Sequence, residues 1–105
     1  MISRIWHGYT TLKNADAYEV LLQKDIFAGI RNLGIPGFKG IQLLRRKLEL
    51  EEEFITIMRF DSLDAVKIFA GEDYEEAVVP AEARELLSRF DHRSQHYEII
   101  TELNS

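Results

Sequence analysis

Hydrophobic and polar side chains alternate along four segments of the chain, in the period of two that is typical of β-strands. These segments are residues 2–11, 38–48, 53–60 and 92–101. The acidic connection at 49–52 has a length that suits a hairpin, so the second and third strands are predicted to pair antiparallel.

Apolar residues recur at helical spacing between the first two strands. The predicted helix begins at Asn14, which suits an N-cap, and ends at Gly34 and Pro36. Its inward face carries Tyr18, Leu21, Leu22, Ile26 and Ile30.

Two more helices are predicted in the second half of the chain. One is capped by Asp61 or Ser62 and stops at Gly71. The other opens at Pro80, and its inward positions are Ala83, Leu86, Leu87 and Phe90. The intervening segment 72–79 fits either a further helical turn or an irregular excursion.

The order of these elements is β-α-β-β-α-β, with an extra helix before the last strand. It predicts one α+β domain over residues 1–105, of the ferredoxin-like type, in which helices cover one face of a four-stranded antiparallel sheet. A chain of 105 residues has room for one hydrophobic core. The other face of the sheet would then need a partner.

Side-chain parity divides the strand residues between the two faces. The more aliphatic set is predicted to lie under the helices and consists of Ile5, Ile41, Leu43, Ile55, Ile57, Tyr97 and Ile99. The opposite set is mixed, and we expect it to form a dimer interface or a ligand cavity. Its members are Arg4, Trp6, Gly8, Phe38, Gly40, Gln42, Leu44, Phe54, Thr56, Met58, His96 and Glu98. If the first and last strands are neighbours, Arg4 and Glu98 are expected to pair.

Composition narrows the function by exclusion. The net charge of -5 argues against binding to nucleic-acid phosphates, and the lack of cysteine removes disulfides and thiolate chemistry. No apolar stretch approaches the roughly 18 residues of a membrane span, and the N-terminus does not resemble a signal peptide, so we expect a cytoplasmic protein without a membrane partner. The dispersed histidines form no metal motif, and no nucleotide-binding signature is present, so no metal or cofactor is predicted.

Three stretches carry a resemblance to a known family. They are Ile-Trp-His-Gly-Tyr-Thr at 5–10, the block 60–74 that begins Phe-Asp-Ser-Leu-Asp-Ala, and His-Tyr-Glu-Ile at 96–99. Together with the order of elements, they resemble the antibiotic biosynthesis monooxygenase-like proteins of the dimeric α+β barrel superfamily. The resemblance covers nearly the whole chain. It implies a homodimer in which two sheets form a barrel, with one pocket per subunit between sheet and helices.

The resemblance also implies a range of activities. Some members of the family are cofactor-free oxygenases of polycyclic phenols and quinols, and others bind and degrade haem. The haem-degrading relatives carry an asparagine on the first strand and a histidine in or after the second helix. Here the first strand has no asparagine and residues 68–74 read Ile-Phe-Ala-Gly-Glu-Asp-Tyr, so haem is not expected.

His96 is the predicted catalytic residue. A histidine on the cavity face beside Trp6 is able to take a proton from a phenol near neutral pH. The alternative is a hydrogen-bonded structural histidine. Trp6 is predicted to stack on a flat ligand and donate its indole N–H, and plain interface packing is its alternative.

The remaining predicted ligand contacts orient rather than react. Gln42, Thr56 and Met58 are expected to line the pocket floor with an amide, a hydroxyl and a thioether. Tyr74, in the segment after the second helix, is expected to cover the pocket mouth. Ordinary dimer contacts are the alternative for the first three, and a half-exposed position is the alternative for Tyr74.

Two functions remain open from the sequence. One is a cofactor-independent monooxygenase-like protein that acts on a small phenolic or quinol-type ligand, with His96 favouring the ligand's anion. The other is a non-catalytic dimeric module that binds a metabolite in the same cavity.

Overall fold

The computed structural model describes all residues, 1–105, and contains five strands and four α-helices. A π-helical stretch, Leu22–Ile26, joins α1 to α2 in one continuous helix. In chain order the elements are β1 (Ile2–Thr11), α1 (Ala15–Leu21), α2 (Phe27–Asn32), β2 (Phe38–Lys47), β3 (Glu51–Phe60), α3 (Leu63–Ala70), α4 (Ala81–Leu86), β4 (Leu87–Phe90) and β5 (Gln95–Glu98).

The sheet is antiparallel, and its strand order is β2-β3-β1-β4, with β5 also paired to β1. Because β3 occupies the whole of one edge of β1, β4 and β5 follow each other along the opposite edge. They act together as the fourth strand, interrupted by residues 91–94. With the helices on one face, this architecture confirms the predicted ferredoxin-like α+β fold.

The last predicted helix is shorter than its pattern indicates. Residues 87–90 were expected to continue it, but they form β4, which pairs with Gly8–Thr10 of β1. The backbone becomes extended at Leu87, with φ -80° and ψ 136°. An unpaired edge of β1 offers backbone hydrogen bonds there, and tertiary pairing overrides a short local period. The final strand, β5, is correspondingly shorter than the predicted 92–101.

The helix signals at Asn14 and Ser62 are placed as predicted. Ser62 caps α3, since its Oγ accepts the Ala65 N–H at 3.1 Å. Asn14 occupies the N-cap of α1 but makes no capping bond, and its amide instead donates to the Leu86 carbonyl at 3.3 Å. It therefore ties α1 to the end of α4.

The face of the sheet that lies under the helices is the reverse of the predicted one on β1 and β3. One core cluster packs Phe54 against Tyr18 and Leu22, and a second packs Met58 and Phe60 against α3. The aliphatic side chains of Ile5, Ile55 and Ile57 point to the other face and are only partly buried. The parity choice was wrong because the aromatic residues, rather than the isoleucines, fill the space beneath the helices.

A β-bulge makes β2 the exception. Between Phe38 and Gly40 the register shifts by one residue, so Ile41 pairs with Met58 and Gln42 pairs with Ile57. One extra residue transfers every later side chain of the strand to the opposite face. Ile41 and Leu43 therefore lie under the helices as predicted, whereas Gln42 lies on the open face.

The open face of the sheet, which we call the outer face, carries an aliphatic centre. The side chains on this face include Ile5, His7, Tyr9, Gln42, Leu44, Ile55, Ile57 and Tyr97, with the isoleucines at its centre. Leu44 and Tyr97 are exposed, and the isoleucines are half-buried.

No helix of the chain has the length and hydrophobicity that a membrane crossing requires.

Candidate functional site

A cavity lies between the sheet and the helices. Its empty space is about 500 Å³ with the open mouth included, of which about 60 Å³ can hold the centre of a water molecule. The free space is therefore narrow. The lining residues are Arg4, Trp6, Tyr18, Leu22, Ile26, Phe27, Ile30, Ile41, Thr56, Met58, Phe69, Val78, Val79, Pro80, Ala83 and Ser94.

The walls of this cavity are mostly apolar. Twelve of its sixteen lining residues are hydrophobic, and few polar groups enter the space. A surface groove shares Ile26, Ile30, Phe69, Val78 and Pro80 with it. The cavity therefore reaches the surface between the π-helical stretch and segment 78–80. The apolar lining with a few polar groups is typical of a small-molecule site, whereas the free volume of about 60 Å³ is below the roughly 300–1,000 Å³ of such sites. A ligand of aromatic size would therefore also occupy the open mouth.

The structure places three of the six predicted site residues in the cavity wall. Trp6, Thr56 and Met58 line it. Gln42 does not, since the bulge in β2 turns it to the outer face, so its predicted place on the pocket floor is wrong.

His96 and Tyr74 lie beside the lining residue Arg4 rather than in the wall itself. Their rings pack edge to face at 5.2 Å. The mouth that Tyr74 was expected to cover is formed by other residues, among them Ile26 and Val78.

Trp6 is held rigidly by its surroundings. Its indole N–H donates to the Asp91 carbonyl at 2.8 Å, so the predicted donation to a ligand is not available. The ring lies over Gly8, where an added Cβ would come within 2.6 Å of it. Trp6 therefore offers the cavity an aromatic surface rather than a hydrogen-bond donor.

Arg4 is the most unusual group of the site, because it is 3% exposed and no carboxylate pairs with it. Its Nη1 donates to the Tyr74 carbonyl and to Nε2 of His96 at 2.9 Å. Its Nη2 donates to the Glu76 carbonyl at 3.0 Å, and the guanidinium lies 5.6 Å from the centre of the Phe69 ring. The register opposes Arg4 to His96, so the expected pairing with Glu98 is wrong.

Burial lowers the pKa of Arg4 to about 10, so the guanidinium remains charged at neutral pH. A buried cation without an opposite charge is costly, and hydrogen bonds to carbonyl groups offset only part of that cost. The cavity is therefore electropositive at the Arg4 end.

His96 is arranged as a neutral hydrogen-bond acceptor. Burial, followed by the charge of Arg4, lowers the pKa of His96 below its ordinary 6.5. Since Arg4 can only donate, Nε2 accepts and Nδ1 carries the proton in the neutral ring. The Nδ1 atom is buried and has no hydrogen-bond partner.

The sequence did not single out Arg4 or Tyr18 as ligand contacts. Tyr18 lines the cavity, and burial raises the pKa of its hydroxyl, which stays protonated and able to donate. It follows the helical period of α1 and so was assigned only to the core. For Arg4, the signal in the sequence was an arginine among the more apolar residues of one strand face, because arginine is rarely buried without a functional or structural partner.

The donor set of the site does not fit haem iron or another bound metal. No histidine lines the cavity: His96 accepts from Arg4, His7 bonds to Glu53 at 3.1 Å, and His92 packs against Phe90. No cluster of three acidic, histidine or cysteine side chains exists in the structure. The cavity wall therefore offers haem iron no histidine ligand.

Comparison by sequence gives no relative for this chain. No family model matches it, and no curated protein matches it.

Comparison by structure gives matches over nearly the full length. A proposed antibiotic biosynthesis monooxygenase from Bacillus cereus superposes with a TM-score of 0.69 at 13% identity, covering 99% of this chain and 97% of the other. The haem-degrader MhuD from Mycobacterium tuberculosis, with two haems bound in its active site, gives 0.64 at 16% identity, covering 99% and 100%. The chain thus has the fold of the antibiotic biosynthesis monooxygenase-like proteins. At these identities the likeness defines the fold and not the reaction.

Proposed function

We propose that this protein is a cofactor-independent monooxygenase-like protein that binds a small aromatic ligand of the phenol or quinol type in the cavity. The observation that carries the proposal is the small apolar cavity, which has the Trp6 ring in its wall and polar groups at few points. A flat aromatic ring suits this apolar lining, would extend into the open mouth, and would be oriented by a small number of polar contacts. The fold shared with a proposed monooxygenase supports the same class.

The chemistry would belong mainly to the substrate. In an anthrone, the activated CH₂ group between the aromatic rings loses one proton, and the resulting anion supplies electrons to dioxygen. Two C–H bonds at that carbon are replaced by one C=O bond, and the second oxygen atom leaves as water. The reaction consumes one O₂ per substrate and needs no external reductant. The protein would orient the ring and favour the anion.

His96 is the group that we propose as proton acceptor. Its ring adjoins the cavity through Arg4, and its neutral form is available at pH 7 because its pKa is lowered. Acceptance of a proton at Nε2 requires that the hydrogen bond from Arg4 be released. Thr56 and Met58 would contact the ligand from the sheet side.

Oxygen uptake tests the reaction. Purified protein is incubated with a panel of anthrones and hydroquinones, and uptake above buffer that disappears in His96→Ala is expected. His92→Ala removes an exposed histidine outside the cavity and serves as the control. No protein-dependent uptake with any member of the panel would count against an oxygenase.

Ligand binding tests the cavity separately from the reaction. Trp6 is the only tryptophan, so its fluorescence reports directly on a ligand in the slot. Thr56→Phe fills the cavity and is expected to weaken binding at least tenfold, whereas Thr11→Phe makes the same change at an exposed position. Equal affinity in both variants would contradict binding in this cavity.

A non-catalytic binding module is the second candidate. The observation that favours it is the engagement of the His96 lone pair by Arg4, which leaves no free base in the cavity wall. Ligand binding without oxygen uptake would support this candidate over the oxygenase.

We also propose that two copies of the chain pair through their outer faces. The half-buried Ile5, Ile55 and Ile57 form an apolar centre that water would otherwise contact. The resemblance to the dimeric α+β barrel proteins supports such a pairing. The face involved is the opposite of the one that side-chain parity first indicated.

A further inference from the structure

We propose that Arg4 is an anion-recognition residue, and that the ligand of the cavity is an aromatic acid whose carboxylate binds its guanidinium. This inference rests on the proposed small-molecule function and names the chemical class of the ligand. Three features of Arg4 support anion binding: its unused donors, its uncompensated charge and the groups that fix its position.

The guanidinium has donors that the protein does not use. Of its five N–H groups, two on Nη1 and one on Nη2 have acceptors in Tyr74, His96 and Glu76. The Nε–H and one N–H of Nη2 have none. Nε and Nη2 share one edge of the guanidinium plane, and a carboxylate matches such a pair of donors with its two oxygens.

The charge of Arg4 also lacks a partner within the protein. The nearby acidic side chain of Glu75 forms an ion pair with the exposed Arg93 at 3.1 Å. The groups around Arg4 are carbonyl oxygens, a neutral imidazole and the Phe69 ring. Because Arg4 lines an apolar cavity, an anion that enters it would meet an unscreened positive charge.

The position of Arg4 is fixed in advance of binding. The carbonyls of Tyr74 and Glu76 hold it from segment 72–79, and Nε2 of His96 holds it from β5. A guanidinium that is already ordered loses little entropy when a ligand binds. His96 thus serves as a positioning residue for Arg4 while its ring is neutral, and it could accept a proton at Nε2 only after this hydrogen bond is released.

The test compares two ligands that differ in charge and hardly in shape. Calorimetric titration of the wild-type protein with 2-naphthoate and with the neutral 2-naphthamide is expected to show about tenfold tighter binding of the acid, as a charge-assisted pair allows. This comparison needs no variant. Equal affinities for acid and amide would overturn the anion-recognition role and leave the aromatic cavity intact.

Variants then assign the preference to Arg4. Arg4→Met is expected to reduce the acid-to-amide ratio to about one, and Arg4→Lys to retain part of it. Arg93→Met is the matched control, because Arg93 anchors the same segment through Asp73 and Glu75 without reaching the cavity. A ratio retained in folded Arg4→Met, or lost equally in Arg93→Met, would overturn the assignment. Binding of neither ligand to the wild type would overturn the proposed function together with this inference.

Discussion

At the scale of single residues, the contact between Trp6 and Gly8 shows how the cavity wall is built. The Trp6 ring lies over the backbone of Gly8, and its indole N–H is fixed by the Asp91 carbonyl. The sequence around Trp6 and Gly8 does not by itself predict this contact. The contact also depends on the pairing of β4 with β1, which places the Leu87 side chain next to Gly8 as well.

We expect Gly8→Ala to destabilise the protein. The new methyl group would lie 2.6 and 2.9 Å from ring atoms of Trp6 and 3.0 Å from a methyl of Leu87. Overpacking of this kind costs about 1–3 kcal/mol of unfolding free energy. Gly29→Ala is the control, since nothing lies within 4 Å of its added Cβ. That helical change should raise stability by roughly 0.5–1 kcal/mol. Urea denaturation measures both, and a neutral Gly8→Ala would contradict the packing.

We expect the half-buried His96 to make stability depend on pH. The pKa of the folded imidazole lies below the ordinary 6.5 because of burial and the charge of Arg4. As the pH falls below 6.5, His96 is protonated in the unfolded chain but stays neutral in the folded chain until the pH approaches its lower folded pKa. Protonation therefore favours the unfolded chain over this range. The contribution of His96 is therefore present above pH 6.5 and is lost as the pH falls.

Urea midpoints at pH 7, 6 and 5 measure this effect. The decline is expected to be steep in the wild type and shallower in His96→Gln, whose amide oxygen can still accept from Arg4. His92→Gln changes an exposed histidine and should keep the decline of the wild type. Identical pH profiles for wild type and His96→Gln would show that His96 does not titrate abnormally.

At the scale of elements, helix ends follow local chemistry whereas strands depend on their neighbours. The start of α3 was predicted from its sequence because Ser62 precedes an apolar helical period, and the structure confirms the cap. The end of α4 was not, because the period of its inward positions continues through Leu87 and Phe90. The free edge of β1, which no local pattern reveals, converts those residues to strand β4.

We expect Ser62→Ala to lower the unfolding free energy by about 1 kcal/mol, because the Ala65 N–H loses its side-chain acceptor. Ser62→Asp keeps an acceptor at the N-cap and also places a negative charge near the helix N-terminus, so it should be close to neutral. Urea denaturation compares the two. Equal losses in both variants would mean that the capping bond contributes nothing to stability.

The bulge in β2 shows a second limit of local patterns. The alternation on β2 is clear, and so is that on β3, but the single extra residue between Phe38 and Gly40 determines how the two align. Gln42 was assigned to the pocket by strand parity, on the same face as Phe38, and the bulge moves it to the outer face. Thr56 and Met58 needed no such correction, because β1 and β3 pair without interruption.

At the scale of the whole molecule, the outer face predicts the oligomeric state. Light scattering at micromolar concentration should give about twice the chain mass of 12.2 kDa. Ile57→Lys places a charge at the apolar centre of that face and is expected to give a monomer. Val20→Lys makes the same kind of change on the exposed helical surface and should remain dimeric. A wild-type monomer would refute pairing through the outer face.

The sequence by itself determined the α+β class, the order of the main elements and the antiparallel hairpin of β2 and β3. These follow from periods of two and 3.6 and from caps and turns, which act between residues close in the chain. Trp6, Thr56, Met58 and His96 were also correctly grouped on one face of the sheet, since uninterrupted strands preserve parity.

Only the tertiary structure decided which face of the sheet the helices cover, because both faces carry enough apolar residues to be buried. It also decided that Arg4 would lie beside His96 without a carboxylate, since a register set by β5 pairing brings together residues ninety-two positions apart. Burial then strengthens the electrostatic interaction of Arg4 with any ligand, because a charge acts strongly only where water is excluded.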